Sequence, residues 1–192
     1  MLMDDAGDKR GQTREDEYFR KKDRELVERM RRAAAEAEAR EGLSTQTGLS
    51  DPEILQELRA LGFTPDTVSL LPLLPLVQVA WAEGGVTDAE RHTVNTLARA
   101  RGIAEGGAAD RQLADWLTSQ PDADVFARAT RLIAAVLAAQ GPESGALTAD
   151  DLVKYCETIA GASGGVFGIK KISGEERALI ATLAADLKKR NT

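Results

Sequence analysis

Residues 14–41 carry apolar side chains at helical spacing in an otherwise charged segment without Gly or Pro. The apolar residues follow one another at intervals of seven, four, three and four positions: Phe19, Leu26, Met30, Ala33 and Ala37. This spacing is typical of the narrow apolar stripe of a coiled-coil helix, and here Asp23 interrupts it. The pattern predicts a long charged amphipathic helix, or arm, that is stabilised when a partner covers the stripe.

The segments on either side of the arm lack an apolar face. Residues 1–13 are polar and contain two glycines, so we expect them to be disordered. Residues 42–49 are rich in Gly, Ser and Thr and predict a flexible linker.

Residues 50–192 show the pattern of a helical domain. Ser50 is the expected cap of a first helix, and the run VSLLPLLPLVQVAWA is apolar on nearly every side, which predicts a central position in the core. Pro72 and Pro75 should kink or divide that run. Further helices are predicted at residues 88–101, 110–119, 122–140, 149–162 and 174–190. No segment alternates apolar and polar residues as a strand would, so the fold class is all-α.

The domain contains an internal repeat. Residues 79–91 and 159–177 each run from an apolar helix through a Gly-Gly turn to an apolar residue, a Thr or Ser cap and a Glu-Arg pair. The second copy carries a six-residue insert at residues 166–171. The repeat predicts two pseudo-repeated helical hairpins that cover each other's apolar faces about an approximate two-fold axis.

This repeated pattern resembles TerB-like domains, which occur in tellurite-resistance proteins and at the start of a membrane-anchored J-domain co-chaperone. The resemblance covers residues 65–190 and is carried in the first copy by Ala82, Glu83, Gly84, Val86, Thr87 and Glu90, and in the second by Ala162, Gly164, Ile172, Ser173 and Glu176. It implies a helical bundle, a link to tellurite or general stress responses, and divalent-metal binding by acidic loop residues. Both loops depart from the family's Asp, which is Glu83 in the first copy and Ser163 in the second, so the second loop lacks one of its carboxylates.

The acidic residues of the first loop have two interpretations. Glu83, Asp88 and Glu90 could offer oxygen ligands to Ca²⁺ or Mg²⁺. Alternatively, Thr87 and Glu90 form a capping box, as do Ser173 and Glu176, in which the acid binds the first amides of its own helix. A cap contributes about 1 kcal/mol, which is reason enough for these residues, and we favour capping.

The arm resembles the inhibitory helix of the mitochondrial F1-ATPase inhibitor protein over about 20 residues. The residues that match are Glu15, Asp16, Tyr18, Phe19, Arg20, Lys22, Arg24 and Glu25. The resemblance implies a helix that wedges into a catalytic subunit interface, anchored by Tyr18 and Phe19, with Arg20 and Glu25 in ion pairs. The Phe of the family's preceding Gly-rich stretch is absent, and so is its His-rich dimerising coil.

Two other interpretations of the arm stay open: a helix that docks in the groove of a different partner, and a solvated tail. The residues expected to bind a partner are Tyr18, Phe19, Arg20, Lys22, Glu25, Leu26 and Met30.

Composition narrows the function classes. Among 192 residues, 25 are Lys or Arg and 31 are Asp or Glu, a net charge of −6 that argues against a general nucleic-acid binder. With one His and one Cys, the chain lacks a disulfide framework and the usual catalytic sets. His92 is expected at the surface and Cys156 in the core. No apolar run could cross a membrane, and we expect a cytoplasmic protein.

The sequence thus predicts a non-enzymatic TerB-like binding or adaptor protein of stress physiology, with a divalent cation as a candidate ligand and a protein partner for the arm. The alternative is a regulator of an F-type ATPase that acts through residues 14–32.

Overall fold

The computed structural model describes residues 5–140, 147–162 and 172–188, and the side chains from residue 17 onward, except those of residues 139 and 140. Over these ranges the chain forms eight α-helices and one 3₁₀ helix and contains no strand. The all-α prediction is confirmed for this part of the chain. The insert at residues 166–171 lies outside it.

The first two helices lie on either side of a short turn: α1 spans Asp5–Thr47 and α2 spans Pro52–Ala60. A 3₁₀ helix (Val68–Leu73) leads directly into α3 (Leu74–Ala80). The remaining helices are α4 (Asp88–Ala100), α5 (Ala108–Thr118), α6 (Ala123–Gln140), α7 (Ala149–Ala160) and α8 (Gly174–Lys188). Their bounds agree with the predicted helices to within two residues.

The chain divides into two compact units, residues 1–41 and residues 42–192. Within the first unit, residues 5–13 differ from the predicted disorder, because α1 begins at Asp5, and residues 1–4 lie outside the described part of the chain. Apart from two glycines, the segment consists mostly of residues that tolerate a helix. Each glycine costs only about 1 kcal/mol relative to Ala in a helix of this length.

The prediction of a flexible linker at residues 42–49 is wrong. Helix α1 continues to Thr47, and Leu43, Thr47 and Leu49 are all buried. The Thr47 hydroxyl donates to the Leu43 carbonyl at 2.7 Å, and the helix ends where Gly48 adopts a φ of +72°. Burial of Leu43 therefore outweighs the turn preference of the surrounding Gly, Ser and Thr residues.

The entry to α2 also differs from the prediction in one residue. Asp51 rather than Ser50 is the cap, since its carboxylate accepts the backbone N–H of Glu53 at 2.9 Å. Pro52 is the first helical residue, where its missing N–H leaves no bond unmade.

Helix α3 lies at the centre of the second unit. Six of its seven residues are buried, and it packs against the 3₁₀ helix, α4, α6, α7 and α8. The two prolines divide the apolar run as predicted: Pro72 lies in the 3₁₀ helix and Pro75 in the first turn of α3. The predicted central position of this run is confirmed.

Polar contacts fix the outer helices around this centre. Glu57 of α2 accepts from Arg128 at 3.2 Å and from Arg131 at 2.9 Å, both on α6. Lys188 of α8 pairs with Asp150 of α7 at 2.8 Å. These pairs are partly exposed, so each adds at most about 1 kcal/mol to a fold that apolar burial stabilises.

The central packing makes a direct stability prediction. We expect Leu152→Ala, in α7, to lower the free energy of unfolding by about 2–5 kcal/mol, because Leu152 is fully buried and its removal leaves a cavity. The same substitution at Leu26, which is 47% exposed on α1, should change it by less than about 0.5 kcal/mol. Urea denaturation followed by circular dichroism measures both. Equal effects would contradict the assignment of the core.

Candidate functional site

The turn between α3 and α4 ends in a capping box. The backbone N–H and the hydroxyl of Thr87 both donate to Glu90 Oε2 at 2.8 Å, and the Glu90 N–H donates back to Thr87 Oγ1 at 3.2 Å. Glu90 is only 2% exposed. The predicted capping role of this residue is therefore confirmed.

The start of α8 repeats the arrangement. The Ser173 N–H donates to Glu176 Oε2 at 2.7 Å, and the Glu176 N–H donates to Ser173 Oγ at 3.1 Å. Glu176 is completely buried, and within the described part of the chain its second oxygen, Oε1, accepts no hydrogen bond. An unpaired buried carboxylate oxygen is costly, so this cap is less fully satisfied than the first.

The charge of the second capping carboxylate acts on the first. Burial raises the pKa of Glu90, hydrogen bonds from Thr87 oppose that shift, and the negative charges of Glu176 and Glu83 add to it. The capping acids of the two hairpins are thus close enough to interact, which the sequence analysis did not foresee. The repeat gives both acids the same position in their hairpins, but their proximity depends on how the hairpins pack.

The structure does not assemble the predicted metal ligands into a site. Glu83 and Asp88 are exposed, whereas the Glu90 carboxylate is buried and engaged in the cap. No group of three or more acidic, His or Cys side chains placed to hold a metal ion occurs among the residues described. The geometry of this loop is that of a helix cap.

The residues predicted to bind a partner lie on α1 within the first unit. Tyr18 and Phe19 contact each other edge to face, with ring centroids 5.9 Å apart. The Lys22 ammonium lies 5.6 Å from the centroid of the Tyr18 ring and 3.8 Å from Glu25 Oε2. Arg20 is exposed beside them. This end of the predicted surface is therefore one connected group of aromatic and charged side chains.

An exposed apolar cluster follows the same helix. Its members are 45–64% exposed: Tyr18, Phe19, Leu26, Val27 and Met30. Across the described side chains, these are all of the large hydrophobic residues that are exposed. Val27 was missed by the sequence analysis, although it lies three residues before Met30 and so on a neighbouring part of the helix surface.

His92 and Cys156 lie where the sequence predicts them. His92 is exposed on α4. Cys156 is 2% exposed, and burial raises the pKa of its thiol to about 12. Trp81 and Trp116 are half-buried at the edge of the core, where the Trp81 indole N–H donates to the Trp116 carbonyl at 2.8 Å.

The buried cap makes a prediction about pH. Because the folded pKa of Glu90 lies above the ordinary value of 4.5, its contribution to stability is full below pH 4.5 and is lost as the pH rises through the folded pKa. Glu90→Gln keeps an oxygen for Thr87 and removes the ionisation. We therefore expect the free energy of unfolding of Glu90→Gln, measured relative to the wild type, to increase between pH 4 and pH 7.

The control is Glu105→Gln, at an exposed acid, and the difference from the wild type should change more with pH for Glu90→Gln than for this control. Asp110, paired with Arg99, and Asp151, bonded to Thr148, have lowered pKa values and the opposite pH dependence. Both residues are present in the wild type and in Glu90→Gln, so their contributions cancel when the two free energies of unfolding are subtracted. A flat difference for Glu90→Gln would contradict the prediction.

In the part of the chain that the structure describes, no helix has the length and apolar character needed to cross a bilayer.

Comparisons with known proteins identify no relative of this chain. No protein-family model, curated protein or solved structure matches this chain.

Proposed function

We propose that this chain is a non-enzymatic TerB-like binding or adaptor protein of tellurite or general stress responses, and that its arm docks on a partner protein. The observation that carries the proposal is the exposed apolar cluster of α1, which holds all of the exposed large hydrophobic residues of the described chain. Several large apolar side chains exposed on one charged helix favour a site of association.

The chemistry of α1 suits a helix that lies in a groove. Covering the cluster removes apolar area from water, which stabilises a complex by about 25 cal/mol for each Å². Arg20, Lys22 and Glu25 lie along the same segment and are exposed, so they can select a partner of complementary charge. Residues at helical spacing serve as anchors in this mode of recognition.

The pairing of helices in the second unit supports the TerB-like part of the proposal. If α3–α4 and α7–α8 are equivalent hairpins, each contact that a helix of one hairpin makes with the other hairpin should have a counterpart in the opposite direction. Helix α3 packs on α7, and each of these helices also packs on the second helix of the other hairpin. The capping acids Glu90 and Glu176 occupy equivalent positions and interact. These four helix contacts and the paired caps support the proposed two-fold arrangement of the hairpins.

The proposal includes neither a reaction nor a bound metal. Among the residues that the structure describes, Glu90 and Cys156 are the buried groups with raised pKa values, and each has a structural explanation. Glu90 caps α4 and so is not presented as a ligand beside Glu83 and Asp88. Cys156 fills a core position on α7.

A second candidate is regulation of an F-type ATPase through residues 14–32. The observation that favours it is the adjacent pair Tyr18 and Phe19, which are 57% and 60% exposed and contact each other edge to face. These two side chains are the anchors that the resemblance to the inhibitor helix requires. Because both candidates use the same helix, substitutions must separate them.

Docking through the apolar cluster predicts the behaviour of a triple variant. We expect Phe19→Ala/Leu26→Ala/Met30→Ala to reduce recovery of the partner at least about tenfold in affinity purification of the full chain. The control is Glu28→Ala/Arg32→Ala, which removes an exposed ion pair of α1 and keeps the apolar cluster. Quantitative mass spectrometry of the bound fraction gives the readout. Equal recovery with both variants would contradict docking through the cluster.

The second candidate predicts inhibition of ATP hydrolysis. The full chain should slow turnover by an F1-type ATPase, and Tyr18→Ala/Phe19→Ala should abolish the effect because it removes both anchors. Glu28→Ala/Arg32→Ala again serves as the control and should inhibit like the wild type. Unchanged turnover at high concentrations of the wild-type chain would exclude this candidate.

A further inference from the structure

We propose that the apolar stripe of α1 pairs with α1 of a second copy of this chain, antiparallel, over residues 23–40. This inference rests on the proposed docking function and names the partner. In the proposed register, the numbers of two residues that face each other across the interface add up to 63, so Asp23 faces Arg40 and the midpoint lies between Arg31 and Arg32. Large apolar residues and charges both fit this register.

The apolar side chains are complementary in size. Leu26 faces Ala37 of the second copy, and Met30 faces Ala33. Beside these layers, Val27 lies next to Ala34 of the second copy. All six positions are exposed in the chain itself. Each large residue therefore meets a small one, which lets two helices approach closely along a narrow stripe.

The charges are complementary in the same register. Asp23, which interrupts the stripe, lies opposite Arg40 of the second copy. Arg29 and Glu36 flank the stripe. Arg29 of one copy lies beside Glu36 of the second copy, and Glu36 of the first lies beside Arg29 of the second. Because the pairing is two-fold symmetric, both contacts occur twice. The four residues are exposed, and none forms an ion pair with another described residue.

The opposite orientation lacks this complementarity. In a parallel, in-register pair each stripe residue faces its own copy. Asp23 would then face Asp23, and Arg40 would face Arg40, which places like charges at both ends of the stripe. Leu26 and Met30 would face identical large residues, while Ala33 and Ala37 would face small ones. Charge therefore selects the antiparallel orientation.

A charge exchange between residues 29 and 36 tests the register in the full chain. We expect the wild type to show a monomer–dimer equilibrium in sedimentation equilibrium. Arg29→Glu and Glu36→Arg alone should each weaken the dimer about tenfold or more, since each creates two like-charge contacts. An equimolar mixture of the two variants should recover wild-type association, because both contacts in the mixed dimer are then between opposite charges.

A distance measurement tests the orientation. Lys21 lies on the outer side of α1, away from the stripe, and is exposed. A spin label at Lys21→Cys should give a separation of about 30 Å or more between copies. The two labelled sites are offset by 21 residues along the helix axis, and each residue rises by about 1.5 Å. A parallel pair would place the labels at the same height, with a much shorter separation. Cys156 is buried and can stay in place.

The outcomes separate this inference from the function on which it rests. A monomer at all concentrations, a short label distance, or a mixture that associates no better than its components would overturn the self-pairing. If the chain is monomeric but still recovers a different protein through Phe19, Leu26 and Met30, the docking function stands and the self-pairing falls. A monomer whose recovery of proteins is unchanged by the triple variant would contradict both.

Discussion

Burial of α3 is the constraint on which the domain depends. The helix is only seven residues long, too short to be stable alone in water, and every residue except Gln78 is buried. Its burial therefore needs neighbours on every side, which the 3₁₀ helix and four other helices provide. Pro75 can lie within this buried segment because the first turn of a helix has no use for its missing N–H.

The capping acids add a second constraint to the same core. A carboxylate inside a protein is costly unless hydrogen bonds satisfy it, and Glu90 obtains two of them from Thr87. Glu176 repeats the arrangement with one oxygen left without a partner in the described chain. The negative charge of Glu176 adds to the effect of burial in raising the pKa of Glu90. The hairpins are thus coupled by charge as well as by apolar packing.

The helices were largely predictable from sequence, because caps, prolines and apolar periodicity act locally. Thr87 with Glu90 is the plainest example. The predictions failed where a distant contact decides the local structure. Residues 42–47 read as a linker, but burial of Leu43 keeps them helical. Likewise, a loop with three acids resembles a metal site until the fold buries one of them in a cap. The interaction between Glu90 and Glu176 required the relative positions of two hairpins, which no local pattern provides.

The single cysteine has a consequence for redox chemistry. A thiol whose pKa is about 12 is almost never a thiolate near neutral pH, and the thiolate is the form that attacks oxidants. Cys156 is also shielded from small molecules by the surrounding core. Cys156 is therefore a packing residue of the folded chain and not one that reacts readily with oxidants.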